Sequence, residues 1–134
     1  MELADRLAAC YRRLESPSED LYAPTVVVAH EPAVPHFDGP WPREKLVAHG
    51  RDELAMWRKL MPDFHYEGVE TQSLPGGFRL SLRLVGTPAK GAPIDVAITT
   101  ANEVAEGRIC STTACLDPAA VAALMTLMQS SAAP

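Results

Sequence analysis

The amino-acid sequence predicts an α+β fold in which helices pack on a cone-shaped, curved and mainly antiparallel (mixed) sheet. Pro62 ends an amphipathic helix, and a segment of alternating hydrophobicity begins at Phe64, so the hydrophobic period changes from about 3.6 to about 2. Four strand-like segments follow this change with no helix between them. Because helices and strands are segregated along the chain, we expect an α+β rather than a βαβ arrangement. A chain of 134 residues predicts a single domain, residues 1–134.

Two helices and a strand are predicted at the start of the chain. Apolar residues at helical spacing, among them Leu7 and Tyr11, predict a helix over residues 2–15. The sequence Ser-Pro-Ser-Glu that follows is typical of a capping box and predicts a short second helix that ends near Tyr22. Residues 25–31 are rich in β-branched side chains and bounded by prolines, which predicts a short strand.

The middle of the chain predicts a loop and a long helix. Residues 32–42 contain four prolines and Gly39, so we expect a semi-rigid surface loop without regular structure. Residues 43–49 are compatible with an extra helical turn. The long helix is predicted over residues 50–61, with Asp52 and Glu53 in its first turn, where the helix dipole favours anions.

Four strands and a closing helix are predicted in the second half. The strands cover residues 65–73, 78–86, 94–104 and 108–116, and turns rich in proline and glycine join them. In the second of these strands a leucine row (Leu80, Leu82, Leu84) alternates with polar residues, so it lies on one face. Asp117 and Pro118 predict an N-cap and a first helical position for a helix to about residue 129, and residues 130–134 predict a frayed tail.

Charge and composition exclude several classes of protein. The net charge is −5 and the lysines and arginines are scattered, so we expect no nucleic-acid binding. The longest apolar tract, residues 119–128, is too short to span a bilayer, so no membrane partner is expected. Three cysteines without a C-x-x-C pair, and an acidic N-terminus unlike a signal peptide, favour the cytoplasm. The sequence lacks nucleotide-binding motifs and metal-ligand spacings, so no cofactor and no metal are expected.

Small side chains on two neighbouring predicted strands suggest a ligand cavity. Ala97 and Thr99 alternate with larger residues on one strand, and Cys110, Thr112 and Ala114 do so on the last strand. Native cores are densely packed, so small residues on facing positions leave volume that a ligand could fill. The alternative is that this face packs tightly against a helix or a second subunit.

Short motifs along the whole chain resemble the nuclear-transport-factor-2-like superfamily, in particular its SnoaL-like polyketide-cyclase and ketosteroid-isomerase branches. This resemblance implies a cystatin-like α+β barrel with a conical cavity under the sheet. It also implies a fold that serves isomerases, cyclases, dehydratases and non-catalytic binding modules. The matching residues are Tyr11, His30-Glu31-Pro32, Gly50-Arg51-Asp52-Glu53-Leu54, Pro62-Asp63-Phe64-His65, Gly107-Arg108-Ile109 and Leu116-Asp117-Pro118.

The resemblance implies three catalytic residues. Glu31 stands where the isomerases place a general-base carboxylate, and burial under an apolar roof would raise the pKa of such a group. Tyr11 is similar to their oxyanion donor. Asp95 resembles their second acid, although counting back from Gly107 places Thr99 at that position. The alternatives are an exposed Glu31 at a strand end and a Tyr11 that only packs in the core.

Aromatic and histidine side chains are further candidates for the cavity wall. Trp41 and Trp57 are candidates for an aromatic roof, with core or dimer packing as the alternative. His30 neighbours Glu31, and adjacent strand residues point to opposite faces, so only one of the two can line the cavity unless the strand has a bulge.

Two functions from different classes follow. The first is a cofactor-independent cyclase or isomerase that abstracts a proton next to the carbonyl of a small apolar metabolite, polyketide-like or steroid-like. The second is a non-catalytic ligand-binding or accessory protein with the same cavity, and a plain dimerisation module is a third. A homodimer is expected. The helices and the cavity take one face of the sheet, and the opposite face carries either the leucine row or the row Ile94, Val96 and Ile98. An exposed apolar strip of that size needs a partner.

Overall fold

The computed structural model describes residues 2–132, which form three α-helices and one six-stranded sheet. A single 3₁₀ turn, Glu19–Leu21, connects the first helix to the first strand. In chain order the elements are α1 (Glu2–Arg13), β1 (Tyr22–Glu31), β2 (Gly39–Pro42), α2 (Arg43–Leu60), β3 (His65–Leu74), β4 (Gly77–Gly86), β5 (Ile94–Ala105), β6 (Arg108–Leu116) and α3 (Pro118–Ala132). Within residues 2–132, no helix combines the length and the apolar character that crossing a membrane requires.

The sheet is mixed, with strand order β2-β1-β6-β5-β4-β3. β1 runs parallel to β6, whereas every other neighbouring pair is antiparallel. The last four strands form the predicted meander, and the chain returns through α2 from the β1–β2 edge to the opposite edge. This arrangement confirms the predicted α+β class and the curved sheet.

Irregular pairing bends the sheet at three places. The register shifts between Glu67 and Glu70 in β3, next to Gly68, whose φ of 61° belongs to the left-handed region. It also shifts between β1 and β6 and where β5 meets β6. Bulges of this kind increase the local twist and curve a sheet, so the sheet can wrap around the helices.

Both apolar rows of the meander face the helices. β4 pairs with β5 so that Leu84 lies opposite Val96 and Leu82 opposite Ile98, and directly paired residues share a face. The expectation that one of these rows lies on the opposite, outer face is therefore wrong. The outer face carries Arg83, Asp95 and small residues instead. The homodimer remains a prediction without this argument, and a measurement of the molar mass in solution tests it.

The helices cover the inner face of the sheet in two buried clusters. One cluster joins α1 to β3, β4 and β6, with Leu7, Phe78 and Leu80 at its centre. The other joins α2 and α3 to β4 and β5, with Trp57, Met61, Phe64, Leu84 and Leu127 in contact. The cavity lies over the rest of the inner face, on β1, β6 and the part of β5 that carries Thr100 and Asn102.

The predicted second helix is wrong, because residues 19–21 form only one 3₁₀ turn. Ser18 makes no capping bond to the backbone and bonds the side chain of Asp20 instead. Ser16 donates to the carbonyl oxygen of Val47 at 3.2 Å, which ties this segment to α2. With both serines engaged elsewhere, the chain passes directly into β1, which begins at Tyr22, three residues earlier than predicted.

Two other boundaries in the middle of the chain differ from the prediction. Residues 43–60 form one continuous helix. Gly50 therefore lies inside the helix, next to Ser16, and not at its start as predicted. The loop expected over residues 32–42 ends in the short edge strand β2, where two of its prolines lie. Proline is tolerated there because an edge strand leaves part of its backbone unpaired.

The closing helix begins as predicted. Asp117 accepts a hydrogen bond from the Ala119 N–H on Oδ1 at 2.9 Å, and its carbonyl accepts one from Val121. Pro118 occupies the first helical position. The helix continues to residue 132, beyond the predicted end, and residues 133–134 of the expected frayed tail lie outside the described residues.

Candidate functional site

A cavity of about 210 Å³ lies between the inner face of the sheet and the helices α1 and α2. Its apolar walls come from α1, β1, α2 and the segment before β2. A second cavity of about 110 Å³ adjoins it and shares Tyr11, Pro17, Gly50 and Glu53 with it. The polar side chains in the larger cavity's wall are Tyr11, Ser16, Tyr22, His30, His49, Glu53, Thr100, Asn102 and Thr112.

His30 is held on the sheet side of the cavity by a carboxylate. It pairs with Ala114 of β6, and both residues line the cavity. His30 Nδ1 lies 2.7 Å from Asp38 Oδ1, and Asp38 Oδ2 accepts the N–H of Val34 at 3.1 Å. The bond with His30 is the main cause that lowers the pKa of Asp38, and the Val34 bond adds to it. A carboxylate only accepts, so Nδ1 carries a proton, and in the neutral imidazole Nε2 then keeps its lone pair.

A second histidine lies on the helix side. His49 and Glu53 are one turn apart on α2, with Nε2 and Oε2 separated by 3.2 Å. The other oxygen, Glu53 Oε1, accepts the indole N–H of Trp57 at 3.3 Å. The bond to Glu53 raises the pKa of His49 above its ordinary value, although partial burial opposes the shift. His49 is therefore charged up to a higher pH than an ordinary histidine.

Three tyrosines line the two cavities, Tyr11 in both, Tyr22 in the larger and Tyr66 in the smaller, and they remain neutral phenols at neutral pH. Burial raises the pKa of Tyr11 to about 12, and it also raises the pKa values of Tyr22 and Tyr66. The rings of Tyr11 and Tyr66 meet edge to face, with centroids 5.1 Å apart. A neutral phenol can donate a hydrogen bond to a ligand oxygen without itself ionising.

Asn102 places an amide in the cavity wall. The residue is 5% exposed, and its Nδ2 donates to Thr100 Oγ1 at 3.0 Å. Asn102 is opposite Thr112 on β6, and Thr100 is opposite Ala114, so these four side chains share the inner face. The amide of Asn102 and the hydroxyl groups of Thr100 and Thr112 form a small polar area on an otherwise apolar sheet face.

The structure places Glu31 and Asp95 away from the cavity. Glu31 is exposed on the outer face, opposite Cys115, whose Sγ lies 3.6 Å from its Oε2. Asp95 is exposed and forms an ion pair with Arg83 at 2.7 Å. The physical reason is strand alternation: His30 and Val96 take the inner face, so their neighbours Glu31 and Asp95 cannot. Of the three predicted catalytic residues, only Tyr11 lines the cavity.

The predicted wall residues divide between the two faces. His30, Thr112 and Ala114 line the cavity, whereas Ala97 and Thr99 lie on the outer face of β5, so their placement in the wall is wrong. The sequence pattern assigned them the same face as Thr112. The register instead pairs Thr112 with Asn102 and places Thr99 opposite Cys115.

Three further residues predicted in the wall lie elsewhere. Cys110 lies where the β5–β6 register shifts, and its Sγ contacts the carbonyl oxygen of Glu103. Trp57 is buried in the core and reaches the site only through Glu53. Trp41 stacks on Phe37 at 5.6 Å and so supports a wall residue from behind.

Sequence reasoning missed Asp38, His49, Glu53 and Asn102 as site residues. His49 and Glu53 are four residues apart, so they lie on one face of a helix that contains both. The sequence carries this signal, but it becomes visible only when residues 43–60 are taken as one helix. Asn102 continues the inner-face series of β5, where a polar residue is unusual. Nothing in the sequence indicates that Asp38 turns back to meet His30. Within the described residues, no group of three or more His, Cys, Asp or Glu side chains could hold a metal ion.

Several solved structures share the fold of this chain. No protein-family model and no curated protein matches it. A protein of Jannaschia sp. CCS1 described as a SnoaL-like polyketide cyclase is 20% identical, with a TM-score of 0.65 and 99% of this chain and 92% of that chain covered. IdmH of Streptomyces antibioticus, described as a polyketide cyclase, is 18% identical, with a TM-score of 0.63 and 94% and 99% covered.

A third solved structure widens the comparison. It is a protein of Catenulispora acidiphila with a ketosteroid isomerase-like fold, in complex with trimethylamine. It is 14% identical to this chain, with a TM-score of 0.63 and 91% of this chain and 90% of that chain covered. At such identities the likeness establishes the fold alone. It confirms the fold that the resemblance in the sequence motifs implied.

Proposed function

We propose that this protein is a cofactor-independent enzyme that isomerises or cyclises a small, mainly apolar carbonyl compound. The observation that carries the proposal is the pair formed by His30 and Asp38, with His30 in the cavity wall and its Nδ1 2.7 Å from the carboxylate. A histidine oriented by a carboxylate is a typical general base, and proton abstraction next to a carbonyl needs one.

In the proposed reaction His30 removes the proton. Its Nε2 lone pair takes a proton from the carbon next to the carbonyl, and the C–H electron pair moves to form an enolate. Asp38 stabilises the imidazolium that results, because its carboxylate is already hydrogen-bonded to Nδ1. The N–H of Val34 holds Asp38 in place, so the carboxylate does not reorganise during the transfer.

The enolate oxygen has two candidate donors in the wall. The Tyr11 phenol stays protonated because burial raises its pKa to about 12. The Asn102 amide lies on β5, and one of its two N–H donors is bonded to Thr100 Oγ1. Donors aimed at an oxygen that gains charge stabilise the transition state more than the ground state.

The apolar part of the wall supports the substrate class. Leu7, Val28, Phe37, Leu46 and Val47 line the cavity, and no lysine or arginine does among the described residues. A wall of this composition favours an uncharged, hydrophobic ligand, such as a polyketide-like or steroid-like metabolite. The cyclases and the isomerase-like protein that share the fold are consistent with it.

We predict that replacing His30 abolishes base catalysis. The probe is 2-tetralone, an apolar ketone, and the measurement is the exchange of its C1 protons for deuterium in D₂O, followed by NMR. His30→Gln should slow the exchange catalysed by the protein by about 100-fold or more, since general bases contribute about 10²–10⁴. Glu31→Gln is the matched control, because the adjacent carboxylate points away from the cavity and its loss should leave the rate unchanged.

Two results would contradict this assignment. If Glu31→Gln loses activity while His30→Gln keeps it, the carboxylate is the base after all. If 2-tetralone binds, as broadening of its NMR signals would show, but exchanges no faster than in buffer, the protein is the non-catalytic binding module. The position of Glu31 and Asp95 outside the cavity is the observation that favours that second function.

A further inference from the structure

The cavity contains a second histidine–carboxylate pair that the proposed reaction does not yet use. His49 Nε2 lies 3.2 Å from Glu53 Oε2, and both residues line the cavity. Glu53 is fixed in turn by the indole N–H of Trp57, which is 3% exposed. The pair is therefore anchored to the core through Trp57, while the side chains of His49 and Glu53 are themselves 33% and 44% exposed.

Both histidines lie at the same end of the cavity. The Phe37 ring contacts His49, with centroids 4.5 Å apart, and it also contacts His30, with centroids 6.1 Å apart. His30 belongs to β1 and His49 to α2, so the two imidazoles reach this end from different walls. Such an arrangement can act on two atoms of one bound molecule.

We propose that His49 is the general acid of the reaction and that Glu53 is the residue that positions and charges it. This inference rests on the proposed function and extends it from a single base to an acid–base pair. His49 Nε2 lies 3.2 Å from Glu53 Oε2, so we assign the other ring nitrogen, Nδ1–H, as the donor to the substrate.

The proton balance of the step is closed within the protein and the substrate. His30 Nε2 accepts the proton from carbon, the C–H electron pair forms the new C=C bond, and the carbonyl π pair moves to oxygen. His49 Nδ1–H gives its proton to that oxygen, so a neutral enol forms in place of an enolate. The reverse transfers, with the proton returned to another carbon, complete an isomerisation, and no oxidant or cofactor is required.

Glu53 makes His49 suited to the acid role. Its carboxylate stabilises the imidazolium, so the pKa of His49 is raised and the charged form persists closer to neutral pH. Asp52 on the same helix acts in the same direction. The other titratable groups that border the same cavity are Tyr11 from α1, Tyr22 and His30 from β1, and Asp38 behind His30.

The first experiment measures the pH profile of 2-tetralone exchange. His49→Gln should lower the rate by about 100-fold, the usual contribution of a general acid. In the wild type the rate should fall as pH rises through the pKa of His49, because the acid loses its proton. Glu53→Gln keeps an acceptor for Trp57 but removes the charge, so this fall should move to lower pH.

The control for this experiment is His65→Gln. His65 also has a raised pKa and an acidic partner, Glu67 at 3.0 Å, but it lies on β3 outside the cavity. Its replacement should change neither the rate nor the profile. If His49→Gln exchanges as fast as His65→Gln, or if Glu53→Gln leaves the alkaline limb where it was, His49 is not the acid.

A second experiment works without turnover and separates this inference from the proposed function. The probe is 2-naphthol, the aromatic analogue of the 2-tetralone enol, and its ionisation is followed by absorbance. A cationic donor favours the bound naphtholate, so naphthol bound to the wild type should ionise at lower pH than naphthol bound to His49→Gln. The same ionisation in both would overturn the inference even if His30 proves to be the base. A difference without any exchange would leave His49 as the oxygen donor of a binding protein and overturn the acid role.

Discussion

At the scale of single residues, one step along a strand decides which side chains can react. His30 and Glu31 are neighbours on β1, yet only the histidine faces the cavity, because successive strand residues point to opposite faces. On β5 the same rule places Asn102 inside and Asp95 outside. On β1 a single position therefore separates a histidine-based site from a carboxylate-based one.

The backbone also limits which residues fit. Gly77 begins β4, and a Cβ atom built on it would lie 1.9 Å from the carbonyl oxygen of Asn102. That carbonyl belongs to β5, whose side chains line the cavity, so it cannot yield without moving the wall. The adjacent Gly76 has φ of 77° but no atom within 4 Å of its Cβ position.

We predict that Gly77→Ala destabilises the protein more than Gly76→Ala. The steric overlap at residue 77 should lower the free energy of unfolding by about 3 kcal/mol, near the upper end for overpacking. The left-handed backbone at residue 76 should cost only about 1 kcal/mol. Urea unfolding followed by circular dichroism measures both. Equal losses of unfolding free energy in the two variants would show that β5 shifts to make room for the added methyl group. The close approach of Gly77 to Asn102 would then not limit stability.

At the scale of elements, each helix contributes a different part. α1 supplies Tyr11, α2 supplies His49 and Glu53, and α3 closes the far end of the core through Leu124 and Leu127. Among the residues of α3 that the structure describes, none lies in the cavity wall, so its role is to stabilise the sheet that carries the wall. Its start depends on Asp117, which caps the first turn.

We predict that Asp117→Ala lowers the free energy of unfolding by about 1 kcal/mol, the usual effect of removing an N-cap. Asp117→Asn is the matched control, because its amide oxygen can accept the same Ala119 N–H. Thermal unfolding measures the difference. 2-Tetralone exchange should stay unchanged in both variants while the protein is folded. A loss of stability in Asp117→Asn equal to that in Asp117→Ala would instead assign the effect to the negative charge at the helix start.

At the scale of the whole molecule, the two histidine–carboxylate pairs link stability to pH with opposite signs. The folded state lowers the pKa of Asp38 below 3.8, so its contribution is present above that value and is lost as pH falls through the folded pKa. The folded state raises the pKa of His49 above 6.5, so its contribution is complete below that value and is lost as pH rises through the folded pKa.

We therefore expect these two groups to stabilise the protein most between about pH 4 and pH 6.5. Urea unfolding over a series of pH values measures the curve. Asp38→Asn should flatten its acid side, and His49→Gln should flatten its neutral-to-alkaline side. If His49→Gln has the same curve as the wild type above pH 6.5, the bond between His49 and Glu53 does not contribute to folding.

The sequence determined the architecture, because local signals carry it. The change of period at Pro62, the alternation of β4 and the cap at Asp117 each depend on neighbouring residues, and all three are confirmed. The failure of the predicted cap at Ser16 has a tertiary cause. Its hydroxyl donates to the carbonyl oxygen of Val47 on α2, 31 residues further along the chain.

The site was decided only in the tertiary structure. Strand pairing brought Thr112 and Ala114 beside Asn102 and Thr100, whereas the small-residue pattern had grouped them with Ala97 and Thr99. A pattern gives the alternation within one strand, but the register between two strands fixes which face they share, and register depends on bulges and long-range pairing. The approach of Asp38 to His30 requires the loop to fold back, and no local interaction in the sequence encodes that contact.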